Sequence, residues 1–548
     1  MTAVAAPGTA RRHASRSWQL AGTGTLLRLA VRRDRVMLPV WVVALGLTVM
    51  STASAFRTLY DTASGRAGLA RSTNASGSLR ALYGPVLDDA PGGLVAWRMV
   101  ALGGVFAAVM SVVVVVRHTR EEEESGRQEL LSSAVVGRRA PLTAALLTAL
   151  AANVLVALLV AAGLAGLGLP GGGALALGLA IGGAGLCFAG VAAVAAQLTE
   201  SARAAKGIAG AVLGAAFVLR AAGDAARGGA SSPLVWVSPV GWGEEVRAFA
   251  GNRWWVLLLP CAAAAVTAAA AYALAGRRDL GAGLLADRPG AAAASRRLAG
   301  AYGLAWRLQR GSLLGWALAF AVAGGVFGAI TDGATELVGD NDGTREIFAR
   351  MGGHQGITEA FLSSIAGVLG MVAALYAVGS VLRLRAEETG GRAEPVLAGA
   401  VSRLRWAAGH LAFAFLGTAA VLAAGGLGMG LGYGLAAGDV GGQLPRVLGA
   451  VLAQAPAAWV PAGLAVLVFG AVPQVSAGAW AAAGVCLAIG WLGPVLKLPG
   501  WVMGLSPFGH LPKLPGAVAS AVPFVWLTAL AAALTCAGLV ALRRRDLG

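Results

Sequence analysis

Residues able to do chemistry are sparse in this chain, and one group of them occurs twice. Arg120, Glu122, Glu123, Gly126, Arg127, Glu129 and Arg138 return 265 positions later as Arg385, Glu387, Glu388, Gly391, Arg392, Glu394 and Arg403. Carboxylates and guanidinium groups interleaved over a few helical turns suit ion pairing with another surface rather than bond-making. In the first copy the run from Arg120 to Leu131 is consistent with a short helix. Its acids cluster early, where a helix N-terminus favours negative charge. Leu130 and Leu131 give it an apolar edge, and Gly126 and Gly391 would permit close backbone approach. Glu122 or Glu123 suits a basic residue of a partner, and Arg127 an acidic one. A solvated loop that only sets topology is the alternative, and the identical spacing of two copies weighs against it. The second copy is thinner. Ala386 and Thr389 stand where the first has Glu121 and Glu124, and Pro395 replaces Leu130, which predicts a distorted helix beyond it.

No catalytic constellation accompanies this device. The five histidines, His13, His118, His354, His410 and His510, are scattered, and no pair has metal-ligand spacing. Cys187, Cys261, Cys486 and Cys536 fall in or beside apolar runs and read as small buried hydrophobes. Lysine occurs only at Lys206, Lys497 and Lys513, none before Ser or Thr, so the chain carries no P-loop for nucleotide. Acidic residues are essentially absent from the centres of the apolar runs. An ion-coupled carrier usually needs such a group at membrane depth, and its lack argues against that class. The outer loop over 332–360 is acidic, through Asp332, Glu336, Asp340, Asp342, Glu346 and Glu359, but its spacing matches no calcium loop.

The elements that position the repeated segment are membrane helices. Of 548 residues 57% are hydrophobic and 13% charged, with a mean hydropathy of +0.72; soluble domains carry about 25% charged residues. Continuous apolar runs of about 20 residues recur along the chain, as a bilayer-crossing helix requires. Their continuity argues against a β-barrel. Glycine, at 81 residues, fits helices packed closely through small side chains. The expected spans in the first half are about 36–56, 96–116, 141–168, 174–198, 206–221 and 254–275. In the second half they are about 312–331, 361–382, 406–434, 444–470, 473–496 and 521–542.

The duplication extends beyond the opening motif. Arg32, Arg35 and Trp41 recur as Arg307, Arg310 and Trp316, offset by 275. Ser238-Pro239 with Gly241 recurs as Ser506-Pro507 with Gly509, offset by 268. Arg278-Asp279-Leu280-Gly281 recurs as Arg545-Asp546-Leu547-Gly548, offset by 267. The fold class is therefore an all-α polytopic membrane protein of about twelve transmembrane helices in two parallel six-helix repeats. The net charge of +17 gathers before the first span, between the halves and at the C-terminus. The positive-inside rule makes these segments cytoplasmic, and the lack of aromatic interleaving argues against nucleic acid. The organisation expected is a basic N-terminus with an interfacial helix (1–35), a first repeat (36–275), a basic linker with a second interfacial helix (276–311), a second repeat (312–542) and a cytoplasmic C-terminus (543–548).

A loop reading Glu-Glu-x-x-Gly-Arg-x-Glu, followed by an arginine before the third span, resembles the permeases of ABC-2-type exporters. The fused two-half layout, with a basic segment before each first span, looks most like the polyketide-antibiotic (tetronasin-type) exporter permeases of actinobacteria. In that family the loop is the coupling helix that docks on an ATPase. The resemblance implies that Glu122, Glu123, Gly126, Arg127 and Glu129, with Glu387, Glu388, Gly391, Arg392 and Glu394, are ATPase-docking residues. It implies a permease subunit of the bacterial cell membrane with both termini cytoplasmic. Two copies of an ABC ATPase would bind ATP and magnesium, with no cofactor in this chain. The substrate would be apolar or amphipathic, such as a polyketide antibiotic, a drug or a lipid. The other reading is a secondary, ion-coupled multidrug carrier with two six-span halves. A membrane scaffold or enzyme is the third class, and the absence of any nucleophile or ligand cluster disfavours it.

Overall fold

A computed structural model of the chain describes residues 18–132, 135–226, 232–285, 293, 300–331, 356–492, 499–518 and 520–545. The acidic loop residues 332–355, the N-terminal Arg11, Arg12 and Arg16, and Arg296 and Arg297 of the linker lie outside these. Every regular element among the described residues is helical. The chain divides into two compact units, Met1–Gly290 and Ala291–Gly548.

Unit 1 begins with the short helix α1 (Thr23–Arg33), which leads through a three-residue turn into α2 (Met37–Leu59). Asp34 in that turn is fully buried and bound by His118 and Arg117 at 2.5 and 3.1 Å. Then come α3 (Pro91–Arg117), the loop helices α4 (Arg120–Glu124) and α5 (Arg127–Ser132), α6 (Ala140–Gly166), α7 (Gly171–Leu198), α8 (Ala202–Ala226) and α9 (Leu258–Ala275). The core sits where α3 and α7 pack, around Met110, Val114, Ile181 and Phe188. The fifth span runs well past the expected 206–221. Asp224, beyond the expected end of the span, is folded into α8, where Arg220 pairs with it at 3.6 Å and with Glu244 at 2.7 Å.

Unit 2 comprises α10 (Ala301–Ala329), α11 (Ile357–Thr389), α12 (Ala393–Leu397), α13 (Arg403–Ala436), α14 (Val440–Leu452), α15 (Ala455–Ala471), α16 (Gly478–Leu492) and α17 (Ala521–Arg544). The separate interfacial helix expected before its first span is absent among the described residues. Arg307 and Arg310 lie within the single 29-residue helix α10. At the 275 offset, Gln309 takes the place of buried Asp34. It bonds His410 at 3.0 Å from within the helix, so no buried acid forces a turn. The expected span over 444–470 falls in one spanning segment, Val440–Ala471, with a turn at Ala453–Gln454 that separates α14 from α15. Pro456 follows at once, and it both lacks a donor and restricts the residue before it.

Among the described residues eleven segments are long and apolar enough to cross a membrane, α14 and α15 counting together as one. The remaining expected span, over 473–496, is α16, whose 15 residues fall short of the roughly 20 a bilayer requires; residues 493–498 beyond it lie outside the described set. Small residues do bring helices close. A Cβ added to Gly324 of α10 would lie 2.2 Å from the Gly425 carbonyl of α13, and one on Gly428 would lie 2.1 Å from the Ala321 carbonyl. No side chain larger than hydrogen fits that seam.

Candidate functional site: twin loop clamps

The repeated segment is one turn of helix, a glycine hinge and a second short helix in both units. The α3 helix ends at a turn and α4 carries Arg120–Glu124. Gly126 then takes φ 71°, and α5 starts at Arg127. In unit 2 the last turn of α11 carries Arg385–Thr389, Gly391 takes φ 67°, and α12 starts at Ala393. A Cβ at either glycine would meet nothing within 4 Å. These glycines are therefore needed for the left-handed conformation that ends a helix, not for close approach. Pro395 distorts no continuing helix. It falls in the first turn of α12, where backbone N–H groups lack helical partners in any case.

The second glutamate of each pair is gripped by an arginine just beyond the last span of its unit. Glu123 receives Arg278 Nη1 and Nη2 at 2.7 and 2.6 Å, with Arg120 at 2.9 Å and the Gly281 N–H at 3.3 Å. Glu388 receives Arg545 Nη1 and Nη2 at 2.9 Å each, with Arg385 at 3.5 Å. Both are two-pronged guanidinium–carboxylate pairs, the strong form of charged hydrogen bond. The next repeated arginine completes each clamp. Arg138 Nη2 donates to the Arg278 carbonyl at 2.6 Å, and Arg403 Nη1 to the Arg545 carbonyl at 2.5 Å. The loop after the second span is thus tied to the end of the last span in both units.

The first glutamate of each pair is buried and also paired within its unit. Glu122 meets Arg33, with Arg127 3.9 Å away; Glu387 meets Arg383 at 2.7 Å and Arg392 at 2.8 Å. Burial pushes the Arg33 guanidinium below its ordinary pKa, and its neighbours Arg117 and Arg127 push the same way. What the segments expose is different: Gly391, Arg127, Glu129 and Leu130 in their short helices or hinges, and Arg392 and Glu394 in the second copy. Of the six acids expected to meet a partner, Glu122, Glu123, Glu387 and Glu388 are turned into ion pairs within their unit, and Glu129 and Glu394 are exposed.

The copies differ where their sequences differ. Glu121 pairs with Lys206, and Glu124 accepts the Ala202 N–H at 3.0 Å, capping the start of α8. Ala386 and Thr389 make no such tie; the Thr389 hydroxyl donates to the Arg385 carbonyl of its own helix. Sequence reasoning noticed Arg278 and Arg545 only as marks of duplication. Their recurrence in step with Glu123 and Glu388 was the available signal for an ion pair. It also missed the buried group in which Arg220 bonds Glu244 at 2.7 Å and the Ala81 and Leu82 carbonyls.

A duplicated chain whose described residues form only helices, eleven segments of them long enough to span a bilayer, is a multi-pass membrane protein. Residues 298–543 match the family model described as "Multidrug efflux system permease Rv1217c, C-terminal domain". The chain is 45% identical over 526 residues to the multidrug efflux system permease protein Rv1217c of Mycobacterium tuberculosis (strain ATCC 25618 / H37Rv), covering 96% of this chain and 95% of that protein. The chain belongs to this permease family.

Proposed function

We propose that this chain is the membrane-spanning subunit of an ATP-driven exporter of apolar or amphipathic compounds, drugs or polyketide antibiotics among them. ATP and magnesium would bind a separate ATPase, present in two copies, one on each clamped loop. The observation that carries the reading is the pair of equivalent clamps. Each fixes a loop rigidly to the end of its unit's last span, as a lever that transmits a push must be fixed. Arg127, Glu129 and Leu130, and Arg392 with Glu394, form the outward contact faces. Glu122, Glu123, Glu387 and Glu388 act by holding those faces in shape, and Gly126 and Gly391 by setting the hinge. The ABC-2 resemblance supports the same assignment, with the chain in the bacterial cell membrane and its loops and termini in the cytoplasm.

The test is transport into inside-out vesicles containing this chain and the ATPase encoded beside it. ATP-dependent uptake of a lipophilic drug, abolished by Arg127→Glu combined with Arg392→Glu, is expected. Uptake that needs no ATPase and follows the proton gradient would instead establish the ion-coupled carrier.

A further inference from the structure

Unit 2 contains a cavity of about 380 Å³ at the end of α11 far from its clamp. That is within the range of small-molecule sites, roughly 300–1,000 Å³. It lies between the first turns of α11, the α14–α15 break, the end of α16 and the hairpin over 500–513. Its lining divides into polar and apolar parts. Ser363, Ser364 and Gln454 are buried, and the Ser364 hydroxyl has no hydrogen-bond partner. Met371 and Phe508 supply apolar surface, and Lys513 supplies the cationic side chain. No carboxylate lines the cavity among the described residues. Burial holds the Lys513 ammonium below its ordinary pKa, with no acid among the described residues to offset it. A half-buried ammonium with no counter-charge among the described residues and a buried hydroxyl without a partner are both unfavourable unless something else supplies the missing bonds.

The other repeat shows that this space is not a generic consequence of the fold. At the 265 and 268 offsets, Ser364 and Lys513 correspond to Met99 and Glu245. Met99 is packed in the unit 1 core, and Glu245 pairs with Arg253 at 3.3 Å and Arg247 at 3.7 Å. The matching cavity there, lined by Tyr83, Trp97, Val100, Glu244 and Arg247, holds only about 30 Å³.

We propose that the unit 2 cavity binds an amphiphile carrying one anionic group. Lys513 meets the anion, Ser364 and Gln454 hydrogen-bond the polar head, and Met371 and Phe508 cover the apolar body. This rests on the exporter reading and narrows its substrate class to lipophilic acids. The anion can come from a free carboxylic amphiphile or from a lipid headgroup, and the two sources are separable.

The test uses the full chain in phosphatidylcholine nanodiscs with a photoreactive dodecanoate, its labelling sites mapped by mass spectrometry. We expect labelling of peptides carrying Met371 or Phe508, and little from the matching dodecylammonium probe. Lys513→Gln should reduce it about tenfold, the scale of one lost charged hydrogen bond, and Lys513→Arg should retain it. Ser364→Val, which leaves the cation, should reduce it severalfold. Displacement by phosphatidylglycerol but not by carboxylated drugs assigns the site to lipid; the reverse assigns it to a free amphiphile. Equal labelling by the cationic probe, or by Lys513→Gln protein with an unchanged unfolding midpoint, overturns the proposal. Because labelling needs no ATPase, a failed ATP-driven efflux assay with intact labelling would sink the exporter reading and leave the site standing.

Discussion

At the scale of residues, the most informative pair is Glu388 with Arg545, together with its twin Glu123–Arg278. The side chains of Glu388 and Arg545 are 6% and 13% exposed, so neither charge is well solvated if the other is removed. Breaking a buried pair costs about 3–5 kcal/mol. Arg545→Gln should therefore lower the unfolding midpoint of the solubilised protein by several degrees, and the exchange of both residues (Glu388→Arg with Arg545→Glu) should recover part of it. An unchanged midpoint in the single variant would show that the clamp holds nothing. The acids themselves were legible in the sequence as a functional pattern. Their partners were not, because Glu123 and Arg278 are 155 positions apart and only the fold brings them together.

At the scale of elements, the extra acids of the first copy have a definite task. Glu124 caps the first turn of α8, and an N-terminal cap is worth about 1 kcal/mol. Glu124→Ala should speed amide exchange at Ala202–Lys206, while Thr389→Ala should leave the start of α16 as it was. Equal effects of both changes would remove the asymmetry argued above. Span boundaries were read well where apolar runs were uninterrupted. They fell short where a charge was neutralised inside the fold, as at Asp224 beyond the expected end of the fifth span, and they did not mark the turn at Ala453–Gln454 within the span over 444–470. Hydropathy counts side chains one at a time and has no access to such pairing.

At the scale of the whole molecule, duplication predicts two docking faces that can be removed separately. Native mass spectrometry of the assembled transporter should show loss of one ATPase copy with Arg127→Glu, one with Arg392→Glu, and both with the double variant. Retention of two copies in the double variant would place docking elsewhere. The first unit's additional tie from Glu121 and Glu124 to α8 makes its loop the more firmly anchored of the two.

Class, duplication and the location of the functional segment all follow from local quantities. Apolar run length sets whether a helix can cross a bilayer, and identical spacing of charged residues marks a repeated device. Which side of that device faces outward was decided only by the tertiary structure. Glu122, Glu123 and Glu388 turn inward because each finds a guanidinium distant in sequence and near in space, Glu387 finds Arg383 and Arg392 close by in the chain, and a paired charge tolerates burial that a lone one does not. The same physics leaves Lys513 beside a cavity without an acid, and so points to a ligand that no spacing of residues along the chain would have indicated.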